Sequence, residues 1–294
     1  MKLKAECYEC LRRLICQAAE LATDDVSLRQ RTTKEAMAIL DGEFSYSQLS
    51  IVIATKIHEV IREVTHNPDP YRAMKEKEMA VARKLCSELP LQAESASQRH
   101  GGEKSSLHGN DLRAYLELAA AANTIDFFKE PDSIEEDVRN PVSFAVDDSE
   151  QFEARLKETG KVLYLADNAG ELYFDLPLVR RMRQFAPVIY VVKPSPVQND
   201  ITLEDIREAG LESEFGRVIS TGVASPGVVF TLASELFKGE FESANLIFAK
   251  GMGHYEALSE LPPEGKVFYC LKAKCRPVAK SLGVPLNSYV AMLR

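Results

Sequence analysis

Five short segments built round apolar residues read as strands, at 162–166, 188–192, 217–220, 245–249 and 266–271, and stand in the second half of the chain with helical patterns between most of them. No other feature limits the fold so strongly. Strands that alternate with helices run parallel and are covered on both faces, because each crossover helix returns over the sheet. The fold class predicted here is α/β: a three-layer α/β/α domain with a mostly parallel sheet.

The first half follows a different period. From Ala5 to about Lys129 apolar residues recur every 3.6 positions, as at Leu11, Leu14, Ile15, Ala18 and Ala19, or at Ile51, Ile53, Ile57, Val60 and Ile61. That pattern predicts a helical region packed on the α/β domain. Asn67-Pro68-Asp69-Pro70 is a rigid loop in which Asp69 is expected to cap a helix with Pro70 at its first position. A further helix is predicted over Asp111 to Phe128. The segment from Ser95 to Asn110, rich in Ser, Gly, His and charge, is an exposed loop, either a lid or, as expected, a plain connection. The acidic, proline-punctuated stretch from Glu130 to Pro141 marks the boundary, which divides the chain into 1–135 (helical) and 136–294 (α/β, catalytic). No internal repeat is visible.

Composition narrows the function. A chain of 294 residues with 45% hydrophobic and 27% charged residues can bury a large core without staples. It has no apolar run near the roughly 18 residues of a membrane span and no cationic leader, so a cytoplasmic protein with no membrane partner is expected. A net charge of −8 with no Lys/Arg block argues against a nucleic-acid partner. Six cysteines, at 7, 10, 16, 86, 270 and 275, are too few and too uneven for a disulfide scaffold.

The chemistry-bearing residues follow the apolar runs. Asp167-Asn168-Ala169-Gly170-Glu171 comes after the first, Lys193-Pro194-Ser195-Pro196-Val197-Gln198-Asn199-Asp200 after the second, and Lys250-Gly251-Met252-Gly253-His254 after the fourth. Such residues are common in turns. Parallel strands, however, open all three loops on one sheet edge, where α/β folds place ligands. Oxygen donors from Asp and Asn suit a hard divalent cation such as Mg²⁺ or Mn²⁺, and the lysines suit an anion. A phosphorylated substrate bridging cation and lysine is the expected occupant, with the metal polarising a phosphoryl oxygen.

These loops, together with Asn67-Pro68-Asp69-Pro70-Tyr71 and Lys75, resemble the damage-control phosphatases over essentially the whole chain. The Cys7-Tyr8-Glu9-Cys10 opening resembles the mostly prokaryotic branch of that family. The resemblance implies a helical cap on an α/β domain and a metal-dependent hydrolase of phosphomonoesters of small metabolites such as sugar phosphates. It further implies that Asp167, Asn168 and Asp200 are the metal ligands, for Mn²⁺, Mg²⁺, Co²⁺ or Ni²⁺, and that Lys250 binds the substrate phosphate. Glu171 is a second candidate in the same loop, for substrate hydroxyls or as a base; Lys193 and Gly251 complete the expected substrate contacts. The nucleophile is left open between a metal-bound water and a carboxylate.

Other constellations carry expectations of their own. Thr221-Gly222-Val223-Ala224-Ser225-Pro226-Gly227 is predicted to open a helix capped by Ser225, so that free N–H groups near Gly222 and Ser225 either bind substrate or serve an ordinary helix start. His254 is expected at the surface. Asn123 and Asp126 resemble an Asn…Asp pair of the family and are expected to hold the helical region against the catalytic loop. Cys7 and Cys10 have zinc-like or redox-like spacing that Cys275, and Cys270 with it, would complete if the chain ends meet; buried thiols, apart from the chemistry, are the expectation. Two other functions fit less well. A methyltransferase lacks its glycine-rich cofactor loop, and a sugar-phosphate sensor would bind ligand without turnover.

Overall fold

A computed structural model of the chain describes residues 1–88, 112–124, 136 and 138–294. The predicted loop at 95–110, Asp126 and residues 130–135 of the predicted boundary lie outside these. Helices α1 (Ala5–Ala22), α2 (Val26–Glu43) and α3 (Ser50–Thr65) bury Leu14, Ile15, Leu40, Ile53 and Ile57 against one another; of these Leu14, Ile15, Ile53 and Ile57 are residues whose period predicted a buried face. The Asp25 carboxylate accepts the Leu28 N–H at 2.9 Å and so caps α2. Helix α4 (Arg72–Glu88) starts two residues beyond Pro70, not at it. Asp69 does not cap it as predicted, because its carboxylate turns to the buried Lys75 ammonium, 2.9 Å away.

The remaining elements alternate along the chain. They are α5 (Leu112–Ala122), β1 (Phe144–Asp147), α6 (Ser149–Glu158), β2 (Val162–Leu165), a 3-10 turn (Ala169–Glu171), α7 (Leu172–Met182), β3 (Val188–Val192), α8 (Leu203–Glu208), α9 (Glu212–Phe215), β4 (Arg217–Ser220), α10 (Glu235–Ser243), β5 (Leu246–Lys250), α11 (Gly251–Leu258), β6 (Val267–Lys272), α12 (Arg276–Leu282) and β7 (Tyr289–Leu293). The strands form one sheet in the order β1-β7-β6-β5-β2-β3-β4. Every neighbouring pair is parallel except β6 with β7. The five predicted strands are present; β1 and β7 are additions at one edge.

Alternation along each strand sends side chains to two cores. Leu163, Leu165, Ile189, Ile247 and Ala249 meet α10, α11 and α12 on one face. Val162, Tyr164, Tyr190, Phe248 and Phe268 meet α5, α6 and α7 on the other. The sheet is thus the middle of three layers, and α5 belongs to the layer on it. On that second face the register aligns Tyr190, Tyr164, Phe248 and Phe268 on adjacent strands, and their rings stack at 5.1, 4.7 and 5.5 Å between centroids, a cross-strand ladder that fixes the pairing.

From β2 the chain moves outward to β3 and β4, then crosses to β5 on the opposite side of β2. The order therefore reverses between β2 and β5. Open α/β sheets bind ligands at such a point, beyond the carboxyl ends of the strands. Those ends carry Asp167 and Lys250-Gly251.

Between β4 and β5 one prediction fails. No helix starts at Ser225; α10 begins at Glu235, where the Ser234 hydroxyl accepts the Phe237 N–H at 3.2 Å. Ser225 is buried with its hydroxyl 2.8 Å from that of Thr55 on α3, and Gly227 turns the chain at φ +72°. Tertiary contact has overridden a local capping signal.

Candidate active site

The loops after β2 and β3 are laced together by their backbones. Ile201 N–H donates to the Asp167 carbonyl at 2.9 Å and Ala169 N–H to the Asn199 carbonyl at 2.8 Å, while Asn168 and Asp200 form an isolated antiparallel bridge. The lacing brings Asp167, Asn168 and Asp200 to the wall of one cavity of about 640 Å³. The loop after β5 approaches from the other side. Gly251, at φ +75°, passes so close that a Cβ there would lie 1.9 Å from Asp167 Oδ2, so only glycine fits.

Behind this wall lies a fully buried network. Asn123, at the end of α5, donates from Nδ2 to Asp167 Oδ2 (3.0 Å) and to Glu171 Oε1 (2.8 Å), and its Oδ1 accepts the Lys272 N–H at 3.1 Å. Asn168 Nδ2 donates to the same two carboxylates, at 3.2 and 2.6 Å. Both amides are thereby oriented by charge-assisted bonds. Of the expected Asn123–Asp126 pair, Asn123 ties α5 to the loop after β2.

Lys250 belongs to that network and does not line the cavity. Its ammonium, fully buried, pairs with Glu171 and with Asp175 Oδ1, the latter at 2.6 Å, and Tyr190 donates to Asp175 Oδ2 at 2.9 Å. Burial alone would lower the Lys250 pKa; Asp175 and Glu171 more than offset it and hold it raised. Glu171 is likewise enclosed, between Lys250 and two amides. Lys193 is buried behind Asp200, its Nζ donating to the Gly227 carbonyl at 2.5 Å and standing 3.4 Å from Asp200 Oδ2. Gly222 is exposed and lies against Ser234, where a Cβ would sit 2.5 Å from the serine Cβ. Neither Gly222 nor Ser225 reaches the cavity, although Pro226 and Gly227 do.

His254 is buried, contrary to the surface position expected. One helical turn after Lys250 on α11, its Nδ1 lies 2.8 Å from the Lys250 carbonyl. Burial, and then the charge of Lys193, push its pKa well below the usual range, so the ring is neutral and donates Nδ1–H to that carbonyl.

The charge at the cavity wall is unbalanced. Burial, then repulsion from Glu171 and Asp200, raises the Asp167 pKa well above the usual carboxylate range, and burial raises that of Asp200 to about 6 against the opposing pull of Lys193. Asp167, partly exposed to the cavity, and Asp200, buried beside it, both raised in pKa, are a pair that added positive charge would suit. Among the described residues no three His, Cys, Asp or Glu side chains converge as a metal cluster; the donor set here is two carboxylates and one amide oxygen, hard ligands that fit Mg²⁺ or Mn²⁺. Of the cations that line the cavity, Arg13, Lys274 and Arg276, it is Lys274, just after β6, whose charge opposes the rise at Asp167. Lys274 was missed in the sequence, although β6 was predicted and its C-terminal end lies on the same edge.

The rest of the cavity is closed by helices. α1 folds over the strand edge and brings Cys7 and Cys10 to the cavity that Cys275 also lines. Cys7 is buried as expected but Cys10 is exposed, and both line the cavity that Asp167 lines.

Fold, switch point and strand-end loops together place this cavity where open α/β folds bind ligands. The chain belongs to the damage-control phosphatase ARMT1-like family, whose model matches residues 3–290. It is 33% identical to a damage-control phosphatase of Pyrococcus horikoshii, over 99% of this chain and 98% of that one. It is 31% identical to a damage-control phosphatase of Archaeoglobus fulgidus, over 99% of each, and 32% identical to an uncharacterized protein of Methanocaldococcus jannaschii, over 100% of this chain and 96% of that one. A crystal structure of a DUF89 family protein from P. horikoshii superposes with a TM-score of 0.84 at 32% identity, covering 100% of this chain and 99% of the other.

Proposed function

We propose that the protein is a divalent-cation-dependent phosphatase that hydrolyses phosphomonoesters of small metabolites. The observation that carries this reading is the cavity wall at the switch point, where Asp167, Asn168 and Asp200 stand with Lys274 in a chain whose relatives are named phosphatases. Asp167, the Asn168 amide oxygen and Asp200 would hold the cation, which when bound would draw charge from a phosphoryl oxygen. The Lys274 ammonium binds the phosphate oxygens and offsets the charge that builds on them as the ester bond breaks. Water supplies the new P–O bond, and the products are inorganic phosphate and the free alcohol.

Lys250, Glu171 and Asn123 act one layer back. They hold Asp167 in place and balance its neighbours' charge, and so are positioning residues in this reading. Lys193 does the same for Asp200. The test is a panel of phosphomonoesters, sugar phosphates among them, incubated with Mg²⁺, Mn²⁺, Co²⁺ or Ni²⁺ in turn while inorganic phosphate is measured. Release with at least one cation is expected; no release from any ester with any cation would refute the activity.

A further inference from the structure

The cavity wall carries a half-buried carboxylate that neither the cation site nor Lys274 uses. Glu256 lies on α11, the helix that begins where Gly251 passes Asp167, and it lines the cavity with Met252 and Gly253 on the same helix face. Five residues separate it from Gly251, so at about 1.5 Å per residue it stands on the order of 7 Å farther along the helix axis. An ester whose phosphate lies at Asp167 can therefore carry its alcohol part to Glu256, within a space of about 640 Å³ that holds a whole small molecule. One oxygen of Glu256 is taken: Oε2 accepts from the hydroxyl of Ser50, the first residue of α3, which also lines the cavity. Oε1 has no hydrogen-bond partner among the described residues and is not sealed from solvent.

The other glutamates of the cavity are placed differently. Glu6 and Glu9 are exposed on α1, and Arg12 holds Glu9 through two bonds, of 2.8 and 2.6 Å. Glu256 is set deeper, and burial raises its pKa against the pull of the Ser50 bond, the behaviour of a carboxylate short of donors. A hydroxyl suits it better than an ammonium. Arg13, Gln198 and Arg276 line the same cavity and offer donors; a hydroxyl both donates and accepts, whereas an ammonium only donates and would meet two arginines of like charge. Resting on the phosphatase reading, we propose that Glu256, oriented by Ser50, is a specificity-determining residue that accepts a hydrogen bond from a hydroxyl on the substrate's alcohol part, several atoms from the phosphorus. Esters of polyhydroxy alcohols are then favoured over alkyl esters of equal length, because an ester lacking that hydroxyl leaves the carboxylate desolvated and without a partner.

The experiment compares erythritol 4-phosphate with n-butyl phosphate, of equal chain length, in the presence of Mg²⁺ or Mn²⁺. It reads the ratio of the two kcat/KM values within one protein, which partial misfolding of a variant does not alter. The matching phosphonates are titrated in parallel by calorimetry. In the wild type the polyol ester is expected to lead by roughly ten- to a hundredfold, the range of one hydrogen bond to a charged group. Glu256→Ala should cut that ratio by about tenfold or more, and Glu256→Gln, which keeps an acceptor oxygen, should fall between the two. A ratio near one in the wild type, or a ratio that Glu256→Ala leaves unchanged while both esters slow equally, overturns the proposal and leaves the phosphatase reading intact. Phosphonate affinities that show the same preference and the same loss while no ester is hydrolysed support the role of Glu256 and remove the phosphatase reading. Neither binding nor release overturns both.

Discussion

Lys250 and Lys274 stand at the ends of adjacent strands, β5 and β6, yet their surroundings assign them different tasks. Lys250 is fully buried between Glu171 and Asp175. Removing one member of such a set leaves uncompensated buried charge, so Lys250→Met should lower stability by about 3–5 kcal/mol. Lys274 is half-buried at the cavity, and Lys274→Ala should leave stability within about 0.5 kcal/mol while kcat falls roughly 10²–10³-fold. Urea unfolding and steady-state kinetics on both variants check the contrast; a similar stability loss in the two would contradict it. Proton linkage at the wall gives a second prediction. Folding raises the Asp200 pKa to about 6 from about 3.9 in an unfolded chain. The cation-free folded state therefore binds the extra proton between those values, and its stability should fall as pH climbs through that window and lose nothing more from this group above it. Asp167 shifts in the same direction. Cation binding removes the penalty, so the rise in melting temperature caused by Mn²⁺ should grow as pH increases from about 4 to beyond 6. A rise that stays constant across that range would count against the assignment.

At the scale of elements, the Asn123 side chain hydrogen-bonds the end of α5 to the β2 loop. Asn123→Ala would remove one donor from each of two carboxylates, which keep their bonds from Asn168, and the acceptor of the Lys272 N–H, at a cost of about 1–3 kcal/mol. With Asp167 less firmly held, cation affinity should weaken by roughly tenfold or more. Calorimetric titration of that variant checks it, and unchanged affinity would free α5 of this role. The central strands were legible because β3 and β5 are buried on both faces and show as unbroken apolar runs. β1 is four residues long and partly exposed, and β7 takes its place by pairing antiparallel with β6 and parallel with β1, a choice no local pattern expresses. The false helix start at Ser225 has the converse cause. Its Ser-Pro signal is real, but Thr55, distant in sequence, holds the serine instead.

For the whole molecule, the α/β class, the sheet edge and three of its loops could be read from residue order, since parallel topology alone gathers strand ends on one side. The depth of each side chain could not. Lys250 and His254 lie inside because Asp175 on α7 and the turn of α11 receive them, and Cys7 and Cys10 reach the cavity only because α1 docks across the strand edge. Such docking depends on long-range packing that a single sequence does not display. The account's central claim is that Asp167, Asn168 and Asp200 form one cation site at that edge. Its most direct test is calorimetric titration of Mn²⁺ into chelator-stripped wild type beside Asp167→Asn. One site per chain is predicted in the wild type, with binding weakened at least about tenfold in the variant; equal affinity and stoichiometry in the two proteins would contradict it.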